Sequence, residues 1–235
     1  NLIFNDLEHA YFDNAQATSS KTTGGYNHHT LASYFGRINY NYDEKYLFEG
    51  IFRVDGSSRF GSDNKYASFP ALSVGWVASR EHFFPKNNYL NFAKLRFSWG
   101  QNGSENISDF AYTSTMNSGL IVYFGDDQTA YYGQQPSRYP NSALRWEASE
   151  QLDIGIDLAF LSNRVSLTMD YYNKKTKDWL IEAPAMLEIG NTRPYVNGGN
   201  VQNAGFEMDL GYKNRFTSGL NLTASLNLST NRNKV

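Results

Sequence analysis

The sequence contains no cysteine, so disulfides and thiolate metal sites are excluded and the redox compartment is left undetermined. No stretch approaches 18 consecutive apolar residues, which excludes a transmembrane helix. Lys and Arg form no block, and the formal net charge is only -2, so a nucleic-acid partner is not expected. Walker A, G-x-S-x-G and H-E-x-x-H patterns are missing, and no catalytic residue is expected. The chain opens on Asn-Leu-Ile-Phe without a charged n-region and an apolar h-region, as a mature segment or an internal fragment would.

What is present is alternation. Leu152, Ile154, Ile156, Leu158 and Phe160 take every second position, with Gln151, Asp153, Gly155, Asp157 and Ala159 between them. A strand puts alternate side chains on opposite faces, so one face is oily and the other carries carboxylates. After the four residues 161–164, Val165, Leu167, Met169 and Tyr171 alternate with Ser166, Thr168, Asp170 and Lys174, which makes an antiparallel hairpin. Each arm holds its pattern for ten or more residues, about the length that crosses a bilayer at a tilt, whereas globular strands average about five or six. Aromatics make up 16% of the chain, which suits strands and membrane interfaces. A negative mean hydropathy is compatible with a membrane barrel, because only half the residues of each strand meet lipid.

Residues 1–30 show no sustained period and are expected to be a loop or irregular lead-in. From 31 onward eight alternating segments are expected: 31–42, 46–54, 68–78, 93–101, the two arms above, 201–213 and 220–229. In chain order the connections read short at 43–45, long at 56–67, intermediate at 79–92, very long at 102–145, short at 161–164, long at 182–200 and short at 214–219. That sorting matches the short periplasmic turns and long extracellular loops of outer-membrane barrels, and a sandwich has no reason to sort its loops by end. The expected fold is all-β: an antiparallel transmembrane β-barrel segment of about eight strands with long extracellular loops. A self-contained eight-stranded structural or adhesive barrel and a soluble carbohydrate-binding β-domain are the alternatives.

Arg37, Glu49, Arg53, Lys94, Arg96, Asp153, Asp157, Asp170, Glu207 and Asp209 fall on the polar positions and are expected to line the lumen. Asp153 and Asp157 stand four residues apart on a strand, roughly 13 Å, too far for a glycosidase pair. Glu147 and Glu150 point to opposite faces. His28-His29, His9 and His82 read as loop histidines, and Asp55-Gly56-Ser57-Ser58 lacks calcium-loop spacing, so no metal and no cofactor are expected. Tyr123, Phe124, Tyr131 and Tyr132 lie in the longest loop, where aromatics stack on sugars, pack against a lid protein or fill the loop's own core. Tyr34, Tyr40, Tyr42, Tyr46, Trp76, Trp99 and Tyr171 are on apolar positions and suit an interfacial girdle.

Several segments resemble the barrel of SusC/RagA-type TonB-dependent outer-membrane transporters of Bacteroidetes. They are Arg53-Val54-Asp55-Gly56-Ser57-Ser58-Arg59-Phe60-Gly61, Phe69-Pro70-Ala71-Leu72-Ser73-Val74-Gly75-Trp76 and Leu95-Arg96-Phe97-Ser98-Trp99-Gly100-Gln101-Asn102-Gly103. Further on come Leu144-Arg145-Trp146-Glu147, Asp170-Tyr171-Tyr172-Asn173-Lys174-Lys175 and Gly198-Gly199-Asn200-Val201-Gln202-Asn203-Ala204-Gly205-Phe206-Glu207. The resemblance implies outer-membrane lipid around a large barrel, a plug coupled to the TonB complex, a SusD-like surface lipoprotein as lid, and a glycan or peptide as substrate. No plug, TonB box or aromatic closing strand is recognisable, and eight strands fall short of the roughly 22 of plugged transporters. Residues 31–235 are therefore expected to be an interior slice of the barrel wall, unable to transport by itself.

Overall fold

The computed structural model describes residues 28–85, 87–184 and 192–235, with the backbone alone at 118–120. Most of the expected lead-in, His9 and Gly190 lie outside the described residues. Eight long strands form one antiparallel sheet: β1 (Leu31–Tyr42), β2 (Tyr46–Ser57), β3 (Tyr66–Trp76), β4 (Leu90–Ser104), β7 (Glu147–Phe160), β8 (Val165–Lys177), β11 (Val201–Arg215) and β12 (Asn221–Lys234). Two small hairpins stand outside it, β5 (Met116–Phe124) with β6 (Thr129–Pro136), and β9 (Leu180–Glu182) with β10 (Tyr195–Asn197). The sheet runs β1-β2-β3-β4-β7-β8-β11-β12, so strands consecutive in the sheet are consecutive in the chain once the small hairpins are set aside. Among the described residues β1 is bonded only to β2 and β12 only to β11, so these eight strands form an open wall. Among the described residues no second sheet packs over either face as a sandwich requires.

The alternating segments form the strands expected of them, and several strands run past the alternation. β12 continues through Thr230 to Lys234, and β8 through Asn173 to Lys177, where polar residues occupy both faces. The long connection expected at 102–145 begins later, since β4 reaches Ser104, and it builds two strands of its own, β5 and β6. Ile121-Val122-Tyr123-Phe124 and Tyr131-Tyr132 have no polar alternation, because this hairpin has neither a lipid face nor a dry core to impose one.

The connections sort to two rims. At one, Asp43 and Glu44 turn β1 into β2 in the left-handed region, as do Leu161, Ser162 and Asn163 between β7 and β8. Gly219 turns the β11–β12 hairpin with φ +85, a conformation glycine adopts at little cost. At the other rim lies the compact apolar cluster of the described residues: Phe60, Phe69, Ile107, Ala111, Leu144 and Trp146. The β3–β4 ladder stops at Ala71↔Gly100, and beyond it the Phe69 ring fills the space where a Cβ on Gly103 would sit. Trp146 meets Phe60 at 5.2 Å and Phe69 edge-on at 5.7 Å between ring centroids, and its indole donates to the Lys65 carbonyl at 3.1 Å.

Candidate functional site

Residues paired across a ladder share a face, so the register sorts every side chain of the wall. One row runs Arg96↔Gly155↔Asp170↔Glu207↔Ser229 across β4, β7, β8, β11 and β12. The next runs Lys94↔Asp157↔Thr168↔Asp209↔Asn227. On the other half, Asn39↔Glu49↔Ser73↔Ser98↔Asp153 joins β1 to β7, with Arg37 and Arg53 two positions from Asn39 and from Ile51 on that same face. All ten charged residues singled out in the sequence therefore stand on one face.

The charges on this face are partly knitted together. Tyr42 pairs with Tyr46, which sets Arg37 opposite Ile51 and lets its Nη2 reach Glu49 Oε2 at 2.6 Å. Arg53 Nε meets Asp55 Oδ1 at 2.7 Å. Arg96 grips Asp157 with two donors, at 2.8 and 3.0 Å, and its Nη2 lies 2.8 Å from Asp170 Oδ1. The fork geometry of a guanidinium suits such a bidentate hold. Gly155 makes the bridge possible, because a Cβ there would lie 2.7 Å from Arg96 Cζ and run into Asp170. Lys94, Asp153, Glu207 and Asp209 make no salt bridge among the described residues.

The opposite face is apolar and uncovered. Ile38 is 68% exposed, Ile154 49% and Leu228 53%, and the register gathers Phe48, Val74, Phe97, Met208 and Leu226 beside them. Tyr34, Tyr40, Tyr42, Tyr46, Trp76, Trp99 and Tyr171 are all on this face. At the short-turn rim Glu81 accepts from the Tyr46 hydroxyl at 2.6 Å and the Trp76 indole at 3.2 Å. These two donors hold the Glu81 carboxyl below its ordinary range.

The long-loop rim is bound into one unit. Arg59 pairs with Asp109 at 2.9 Å, and Arg145 with Asp178 at 2.6 Å. Asn141 donates to the Tyr195 carbonyl at 2.9 Å, and Arg138 lies over the Tyr195 ring at 5.1 Å. His29 sits 3.7 Å from Asp109, away from His82 in another connection. From this rim the β5–β6 hairpin presents Tyr123 and Tyr132 on one face, 57% and 77% exposed, and Phe124 and Tyr131 on the other, edge to face at 5.7 Å. The sequence reading left Lys175, Lys177, Arg232 and Lys234 unassigned, although cations two apart at the ends of two strands were a visible signal.

A single-layer wall with one continuous apolar face, one charged face and sorted connections defines an outer-membrane β-barrel protein. The particular family follows from comparison. Residues 3–234 match the family model described as TonB dependent receptor-like, beta-barrel, and the chain belongs to that family. This places it in the outer membrane of a Gram-negative bacterium. It is 34% identical over 235 residues to TonB-dependent receptor P39 of Formosa agariphila, covering 100% of this chain and 22% of that protein. It is 36% identical over 212 residues to TonB-dependent receptor SusC of Bacteroides thetaiotaomicron, covering 88% of this chain and 21% of that protein. Among solved structures, the RagAB peptide importer in its "closed-closed" state superposes with a TM-score of 0.80 at 25% identity, covering 98% of this chain and 25% of that one. The chain thus spans between a fifth and a quarter of the proteins it matches.

Proposed function

We propose that the chain forms part of the wall of a SusC-like, TonB-dependent importer, with its charged face toward the lumen and its apolar face toward lipid. The observation that carries this reading is that the ten charged residues gather on one face of the eight strands while the middle rows of the other face are apolar. Arg37, Glu49, Arg53, Lys94, Arg96, Asp153, Asp157, Asp170, Glu207 and Asp209 then line a hydrated interior, where charge is tolerated and can meet a plug or a passing substrate. On the lipid side Lys or Arg costs about 2 to 4 kcal/mol at mid-membrane, and an acidic residue costs less but still disfavours insertion. Ile156→Asp in the full-length protein is therefore expected to impair insertion, while Asp157→Leu leaves it nearly intact. Insertion is read as the heat-modifiable folded band of the membrane fraction, and equal tolerance of both substitutions would reverse the reading.

The long-loop rim faces the cell exterior in this arrangement. There Tyr123, Phe124, Tyr131 and Tyr132 offer contact to a SusD-like surface lipoprotein or to substrate, and coupling to the TonB complex runs through a plug elsewhere in the protein. The substrate is a glycan or a peptide, and the peptide-importing neighbour supports the second. Uptake of labelled peptides against labelled oligosaccharides by cells that carry or lack the gene separates the two.

A further inference from the structure

The face read above as lipid-facing is apolar until the last turns of β8 and β12 beside the long-loop rim. There the row Glu150↔Lys175↔Gln202↔Lys234 crosses β7, β8, β11 and β12, and the row beneath it carries Arg232 opposite Ala204. Lys177 ends β8 on the same face and binds Glu150 at 2.9 Å, while the Trp99 indole donates to that carboxylate at 2.8 Å. Lys175, Arg232 and Lys234 are exposed and make no salt bridge among the described residues. With strands about 4.8 Å apart and alternate residues about 7 Å along a strand, these three cations stand within about 10 to 12 Å of one another. Directly below them on the same face lie Tyr171, Phe206, Leu228 and Met208, a surface for acyl chains.

The same height on β1 to β4 is different. On β4 Gln101 stands opposite Glu150 and Trp99 opposite Leu152, Phe52 pairs with Pro70 and with Gly36, and no cation is among these lipid-side positions. Charge is thus concentrated on one sector of the wall, at the depth where a lipid-side charge costs only about 0 to 1 kcal/mol. A headgroup-level cation cluster above an apolar surface complements an amphiphile whose head is anionic and whose tails descend along the wall. We infer that the outward face of β8, β11 and β12 binds the phosphorylated headgroup of an outer-leaflet glycolipid, with Lys175, Arg232 and Lys234 holding the phosphate. The inference rests on the assignment of faces under the proposed function.

The test uses the full-length protein in phosphatidylethanolamine nanodiscs containing either bisphosphorylated lipid A or its dephosphorylated form, with bound lipid counted by native mass spectrometry. The native protein is expected to retain the phosphorylated form preferentially. The triple variant Lys175→Gln, Arg232→Gln, Lys234→Gln should lower that retention about tenfold or more. Lys174→Gln removes a charge at the same height on the opposite face and should change nothing. Equal retention of the two lipids by the native protein, or undiminished retention by the triple variant, overturns the inference and leaves the wall reading intact. A loss with Lys174→Gln and none with the triple variant would instead overturn the assignment of faces.

Discussion

At the short-turn rim, three pairs of neighbouring strands are joined by three to five residues, several of them in left-handed conformations, and the longer connection is pinned by Glu81 to Tyr46 and Trp76. At the long-loop rim, connection 58–65 packs with the far longer 105–146 around Phe60, Ile107, Leu144 and Trp146, and the rim is cross-braced by Arg59–Asp109 and Arg145–Asp178. Among the described residues, the connections of this rim are therefore the ones with a buried core of their own. Length at this rim supplies enough apolar surface to order the loops, whereas the short turns rely on local backbone geometry and a few interfacial side chains.

The strongest way to break that comparison is to remove the indole at its centre. Trp146→Ala should cost the long-loop rim about 3 to 5 kcal/mol, because it deletes a buried aromatic and leaves the Lys65 carbonyl with the Ser57 N–H as its remaining donor. Limited proteolysis of the full-length protein in lipid should then cut within 105–146 far faster while the short turns stay resistant; an unchanged pattern would mean the cluster does not organise the loops. Between the rims, Gly155→Ala should destabilise the wall by about 1 to 3 kcal/mol, since its methyl displaces the Arg96 guanidinium from Asp170. Gly36→Ala, with nothing within 4 Å of the added carbon, is the matched control, and equal denaturation midpoints for the two would show that the Arg96 bridge imposes no demand on that position.

The smallest effect sharpens the other side. Glu81 is held below the ordinary carboxylate range by the Tyr46 hydroxyl and then the Trp76 indole. A depressed folded-state pKa means its contribution is complete above that ordinary range and is lost as pH falls through the lowered value. The protection of amides in residues 77–85, taken relative to the intrinsic exchange rate at each pH, should thus fall as acidification passes below the ordinary carboxylate range, the long-loop rim lacking that response at Trp146, and Glu81→Gln should flatten the dependence. Protection that does not change with acid in the native protein would remove Glu81 as the clasp of this rim.

How far the sequence could be read depends on which solvent each residue meets. Leu152 to Phe160 declare their strand because lipid on one side and charge on the other enforce a period of two. Thr230, Arg232 and Lys234 lie on the same face as Leu226 and Leu228, yet they are polar, so the alternation fades before the strand ends. β5 and β6 are hidden for the converse reason, with aromatics on both faces. Phe69 stands among the polar-face positions because the loop cluster covers it, which no local pattern signals. The ten wall charges were legible as a set, but the Arg96–Asp157–Asp170 bridge was not, since it depends on the space left by Gly155 one strand away.

The adjacency of β4 and β7 has a consequence for assembly. Their ladder runs from Leu90↔Phe160 to Ser104↔Glu147 as though residues 105–146 were not there. Closing that loop costs roughly 2 kcal/mol more chain entropy than closing a four-residue turn. Hairpins β1–β2, β7–β8 and β11–β12 therefore carry the lowest closure cost in the wall. Because the β4–β7 seam is bridged by a loop whose length leaves the register intact on either side, segments inserted or exchanged at the long-loop rim need not re-thread the wall.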